Sequence, residues 1–124
     1  MDISEFGRHR YMNLATFRKS GAEVKTPVWF VALDGKVYCY TTGNAGKVKR
    51  LRNSPRARIA PSDGRGNPVG EWRDTNARIV TDPALTERAS AALKAKYGWQ
   101  IWLLTLGARI AGSIKTRVYI EVDY

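Results

Sequence analysis

The sequence has a single cysteine, Cys39, and a single histidine, His9, in 124 residues. One thiol closes no intrachain disulfide, which excludes an oxidised secreted scaffold and fits a reducing cytoplasm. One Cys and one His do not make a Cys/His zinc site. No apolar run is long enough for a bilayer. The most apolar stretch, Trp99 to Gly112, contains Gln100 and Arg109 and falls short of the roughly 20 residues a spanning helix needs. The opening Met1-Asp2-Ile3-Ser4-Glu5 carries two acids and no apolar core, unlike a secretory signal. There is no Ser/His/Asp triad, no paired-carboxylate motif and no GxGxxG. Gly64-Arg65-Gly66 reads only as a turn. Acids are the scarcest resource: 11 Asp and Glu stand against 21 Lys and Arg, for a net charge of +10.

That excess costs stability through self-repulsion and accompanies a polyanionic partner. Nucleic acid, an anionic membrane face and a phosphorylated cofactor all meet the description. The rest of the composition is that of one globular domain over 1–124. It is 44% hydrophobic, with four Trp, six Tyr and three Phe to fill a core.

The chain reads as short strands with two main helices. Ile3 to Arg8 suits a short helical lead-in. Tyr11–Phe17, rich in aromatic and β-prone residues, reads as a strand, and Lys19-Ser20-Gly21 turns it back. Val24 to Leu33 is a second strand, with Pro27 marking an edge or bulge. Asp34-Gly35 between two apolar runs predicts a type I′ hairpin. That turn sets Leu33 against Lys36, Val31 against Tyr38, Trp29 against Tyr40 and Pro27 against Thr42. Thr42-Gly43-Asn44 ends the third strand and offers an N-cap to a two-turn helix from Ala45 to Arg52. Val48 and Leu51 lie on its inner face, and Asn53-Ser54-Pro55 stops it. Arg56–Pro61 and Trp72–Val80 are further strands, separated by a glycine-rich loop. Asp82-Pro83 opens a helix that runs to Tyr97 and stops at Gly98. Trp99–Ala111 reads as another helical stretch, ended by Gly112-Ser113. Thr116 to Tyr124 alternates as a last strand with one wet face. The expected fold is α+β: a small antiparallel split β-barrel of five to six strands with flanking helices.

From Gly35 to Ser62 there is no acid, but Lys36, Lys47, Lys49, Arg50, Arg52, Arg56 and Arg58 are all present. Four of these cations crowd the short helix, with like charges three residues apart. Lys47 also stands near the helix N-terminus, where the dipole disfavours a cation by about 0.3–1 kcal/mol. A solvated basic face accounts for such a run. So does an anion held by the helix amides and Lys47, with Thr41, Thr42 and Asn44 as further donors. Cys39 between two tyrosines reads as a buried, inert thiol, and His9 between Arg8 and Arg10 as a surface residue. Trp72 and Trp99 read as core or dimer contacts.

The run Thr26-Pro27-Val28-Trp29-Phe30, the hairpin, and Tyr40-Thr41-Thr42-Gly43-Asn44-Ala45-Gly46-Lys47-Val48-Lys49-Arg50-Leu51-Arg52-Asn53-Ser54-Pro55 together resemble the pyridoxamine-phosphate-oxidase-like flavin split barrels. The likeness is greatest to their deazaflavin branch, the F420-dependent reductases. The resemblance implies a homodimer with a cofactor at the interface. It places the tricyclic ring along Lys25, Thr26, Pro27, Val28 and Trp29. The ribityl phosphate then falls to Thr41, Thr42, Lys47, with Val48 beside it, and to Arg50. A lactyl-oligoglutamate tail would be met by Arg50, Arg52, Arg56 and Arg58. Where the oxidases carry Ser-Arg-Lys this chain has Ala45-Gly46-Lys47, and Lys25 stands where they carry an arginine. Lysine offers a point charge in place of a fork, which weakens the case for pyridoxamine oxidation itself.

The expected function is therefore a cytoplasmic oxidoreductase that uses coenzyme F420 to pass hydride to a small conjugated or planar substrate. An FMN-binding protein of the same fold is the alternative within the class. A basic barrel that binds nucleic acid is the alternative outside it, and that reading needs exposed stacking aromatics.

Overall fold

The structure, a computed structural model, describes residues 1–42, 45–98 and 117–124. The expected helix Trp99–Ala111, its break at Gly112-Ser113, Thr116, Gly43 and Asn44, and the side chain of Thr42 lie outside the described residues. Helix α1 is Ile3–Phe6, followed by β1 (Tyr11–Phe17), β2 (Glu23–Val28), β3 (Phe30–Leu33) and β4 (Lys36–Thr42). Helix α2 (Gly46–Asn53) then leads to β5 (Arg56–Ser62) and β6 (Arg73–Ile79), and α3 (Pro83–Tyr97) precedes β7 (Arg117–Asp123).

All pairings are antiparallel, in one seven-stranded sheet of order β2-β1-β5-β6-β7-β4-β3. The count is seven and not five to six because the run from 24 to 33 is two strands, broken at Trp29. The two halves lie at opposite edges of the sheet, yet a single residue joins them. With one residue between them the two strands are only two α-carbon steps of about 3.8 Å apart, so the sheet must curl until its edges meet. This is the split barrel.

The Asp34-Gly35 turn forms with both residues at positive φ, 53° and 78°, as a type I′ turn requires. It sets Leu33 against Lys36 and Val31 against Tyr38. The two pairs expected further along do not form. Beyond the break, β2 leaves its hairpin partner for β1, so Pro27 faces Asn13 and not Thr42. Trp29 belongs to neither strand and does not pair with Tyr40. Pro27 lies on an outermost strand of the sheet, where proline is tolerated.

The barrel interior is filled by Met12, Leu14, Phe30, Val37, Ile59 and Ile120, with Phe6 of α1 and Leu51 of α2 packed against them. A second cluster lies outside the barrel, where Ala89, Leu93 and Tyr97 of α3 cover Val31, Tyr38 and Tyr119. The expected wet face of the last strand is thus partly dry: Tyr119 is buried under α3. Asp82 caps α3 by accepting from the Ala84 amide, and Gly98 ends it at positive φ. Among the described residues no helix is long and apolar enough to cross a membrane.

Polar contacts tie β4, β6 and β7 together. Asp123 accepts from Lys36 and Arg78, both at 2.6 Å. Glu121 accepts from Arg78 at 2.5 Å and from the Tyr38 hydroxyl at 2.7 Å. Arg78 and then Lys36 hold the Asp123 carboxyl down at about 2. A depressed carboxyl stabilises the fold above its unfolded value of about 3.9, and that contribution fades as pH falls toward the folded value. Melting temperature should therefore drop between about pH 4 and pH 2. Asp123→Asn should make that drop shallower in a calorimetric pH series.

Candidate functional site

Helix α2 packs across the barrel end where β1 finishes. Val48 and Leu51 are buried and anchor it, as their three-residue spacing requires. Ala45, and not Thr42, Gly43 or Asn44, is the N-cap, and among the described residues no side chain caps the helix. Among these residues its N-terminal amides are thus left without a side-chain acceptor at the positive end of the dipole.

Two cations face this end. Lys47, in the first turn, is half-buried, and it has no hydrogen-bond acceptor or carboxylate partner among the described residues. Burial pushes its ammonium below the ordinary lysine value, and Arg50 pushes it the same way. Arg50 curls back over the helix start. A β-carbon at Gly46 would stand 2.6 Å from Arg50 Nη1, so the missing side chain makes room for the guanidinium. Arg50 Nε donates to Thr16 Oγ1 at 2.6 Å, and Thr16 is itself buried. Burial first, and then the charge of Arg18, lowers the Arg50 guanidinium below its ordinary value. The helix start therefore gathers positive charge with no acid paired to it among the described residues. An anion there would be met by amides, dipole and side chains together.

The other expected site residues divide. Thr41 lies two residues beyond Cys39 on β4, and Cys39 is close enough to Lys47 to affect its titration. Thr26 Oγ1 makes a long contact to the Leu14 carbonyl, 3.5 Å. The side chains of Val28 and Val48 are buried and fill core. Arg52 is exposed on α2. Trp29 stacks on Tyr97, with centroids 4.6 Å apart and planes 7° from parallel. Tyr97 also fixes the strand break: its hydroxyl accepts from the Phe30 amide at 2.9 Å. Lys25 and Arg58 do not reach α2. Both lie over the ring of Trp72, each 5.1 Å from its centroid. Arg58 is ion-paired with Glu23 at 2.9 Å and Asp74 at 3.2 Å.

Sequence reasoning missed Thr16, Arg18 and Lys19. A hollow of about 370 Å³ at the far end of α2 is lined by Arg18, Lys19, Asn53, Ser54 and Arg56, with no carboxylate among the described residues of its wall. Arg18 and Lys19 carry no linear signal linking them to α2, because the hollow forms only when β1 meets that helix. Cys39 is fully buried, and its thiol is pushed up to about 12, so it stays protonated and unreactive.

The sequence profile described as pyridoxamine 5'-phosphate oxidase matches residues 3–124. Among curated proteins, none matches. Several solved structures share the fold. A conserved hypothetical protein from Mycobacterium tuberculosis superposes with TM-score 0.69 at 21% identity, covering 98% of this chain and 79% of that one. The heme storage protein HutZ from Vibrio cholerae gives TM-score 0.71 at 16% identity, covering 98% and 86%. An F420 reductase gives TM-score 0.62 at 20% identity, covering 98% and 91%.

Proposed function

The chain belongs to the pyridoxamine 5'-phosphate oxidase family, and on that footing we propose that it is an oxidoreductase that holds the deazaflavin coenzyme F420 and passes hydride to a small conjugated or planar organic substrate. The observation that carries this reading is Lys47: a half-buried cation without a carboxylate partner among the described residues, at an uncapped helix start. A charge left in that state calls for an anion, and a ribityl phosphate is one. The coenzyme, when bound, supplies the hydride chemistry.

The chain's own residues bind and orient. Lys47 and Arg50 hold the phosphate, with Thr41 and Thr42 as further donors. Arg50 is steadied by Thr16. The edge strand from Lys25 to Trp29 offers its backbone to the ring, and a second copy of the chain closes the site as a homodimer. The basic hollow at Arg18, Lys19 and Arg56 extends the positive surface beyond the phosphate, as an oligoglutamate tail requires and FMN does not. Arg58 contributes less to that tail than Arg18 and Lys19, since Glu23 and Asp74 already pair it.

Binding of nucleic acid is less well supported. The only large apolar side chains exposed among the described residues are Met1 and Val69, so none of their aromatics stands fully exposed as a row on which successive bases could stack.

Titration with F420 and with FMN, followed by fluorescence, tests the proposal. The expected result is tight binding of the deazaflavin and weaker binding of FMN. The variant Lys19→Glu should weaken F420 several-fold while leaving FMN nearly unchanged, since the charge it reverses lines the hollow and not the phosphate site. Equal losses for both would remove the tail from the account.

A further inference from the structure

A second concavity lies at the other end of the barrel, where Met12 pairs with Pro61, away from the Thr16 end that α2 covers. It holds about 280 Å³ and is lined by Phe6, Pro61, Trp72 and Tyr124, with Glu71 and Arg73 at its rim. Size decides what fits. A cavity of about 150 Å³ accepts one benzene ring, so this one seats about two fused rings. The deazaflavin coenzyme, with three rings, ribityl phosphate and tail, is too large for it.

The walls are fixed in advance. Trp72 is held under Lys25 and Arg58, and Arg58 is in turn ion-paired to two carboxylates. Tyr124 packs on Phe6 with centroids 5.2 Å apart, and its hydroxyl donates to the Met1 carbonyl at 2.5 Å. A β-carbon at Gly70 would stand 2.7 Å from Pro61 Cγ. Only glycine lets the loop before Trp72 settle this closely on Pro61. Rigid aromatic walls with one or two polar groups at the mouth are the usual make-up of a small-molecule site.

Arg73 supplies the polar recognition. Its guanidinium lies over the Tyr124 ring, 4.1 Å from the centroid. Among the described residues no carboxylate pairs with it. A guanidinium stacked in this way keeps its N–H edge for a planar anion. Glu71 and Arg73 are both exposed at the rim, so water screens the net charge of each and recognition rests on the directional N–H bonds of the stacked guanidinium.

We propose that this cleft binds a flat organic acid of one or two rings, its rings against Trp72 and its carboxylate on Arg73. The role of that acid as hydride acceptor rests on the coenzyme reading above; its binding does not.

The test uses the full chain without coenzyme, titrated with 2-naphthoate and with its neutral counterpart 2-naphthamide. Calorimetry gives the affinities. Nuclear magnetic resonance follows the indole signal of Trp72, assigned by its loss in Trp72→Phe. The naphthoate should bind more tightly than the amide and shift that signal. Arg73→Met should weaken the naphthoate by about tenfold or more, the worth of a hydrogen bond to a charged group, and leave the amide unchanged. Glu71→Gln should not weaken it. Lys47→Ala should leave naphthoate binding intact, so a failure of the coenzyme reading would appear separately. Absence of binding, equal affinity for acid and amide, or indifference to Arg73→Met would each overturn the proposal.

Discussion

Replacing Lys47 with alanine is expected to weaken coenzyme binding by about 2–5 kcal/mol, the range for truncating one partner of a desolvated charge pair, which is about thirty-fold or more in affinity. The same change should leave the free protein as stable as before, or slightly more so. The reason is the state of the ammonium before any ligand arrives. It is half-buried, it lacks a counter-charge among the described residues, and Arg50 and the helix dipole both oppose it. Removing it relieves that cost in the empty site and removes the attraction in the filled one. A residue held only for packing would lose stability and binding together. Titration and urea unfolding of the same variant separate the two outcomes. The pH dependence has a definite sign. Burial lowers the lysine, and a bound phosphate raises it, so affinity is full while the free site is protonated and falls as pH rises past that point. Lys47→Arg keeps its charge throughout that range and should flatten the profile.

The second large effect is expected at Phe30. Phe30→Ala should cost about 3–5 kcal/mol of folding stability, as aromatic-to-alanine changes in cores do. Phe30 is completely buried. Its ring meets Phe6 at 5.1 Å, and Lys96 Nζ lies 3.7 Å from its centroid. Its backbone is gripped from α3: Tyr97 takes the amide at 2.9 Å, and Lys96 donates to the carbonyl at 2.8 Å. This is the first residue after the break that lets one chain run from one edge of the sheet to the other. A total stability of about 5–15 kcal/mol leaves little after such a loss. Urea unfolding should show a large fall in midpoint with a nearly constant slope. A loss below about 1 kcal/mol would mean that the corner is not part of the cooperative core.

The sheet-edge corner also shows where reading from sequence stopped. The apolar run continues unbroken from Val28 to Leu33, and although Pro27 marks an edge or bulge, nothing local shows that the strand changes partner at Trp29. The change comes from Tyr97 and Lys96, nearly seventy residues further along. For the same reason the sequence does not show that Lys25, read with the ring-lining strand, and Arg58, read with the tail, meet over one ring. Their side chains leave the sheet on the face where Trp72 waits, and that face is set by strand register.

The amino-acid sequence alone determined the hairpin at Asp34-Gly35, the limits of α3 between Asp82 and Gly98, the stop of α2 before Pro55, and the burial of Val48 and Leu51. Each rests on the backbone preferences or spacing of a few adjacent residues, which any neighbourhood respects. Only the tertiary structure decided the seventh strand, the dry side of β7 under α3, the meeting of Arg50 with Thr16, and the desolvation of Lys47. Burial and charge pairing belong to the space between elements, and that space exists only once the sheet has curled and its helices have closed over it.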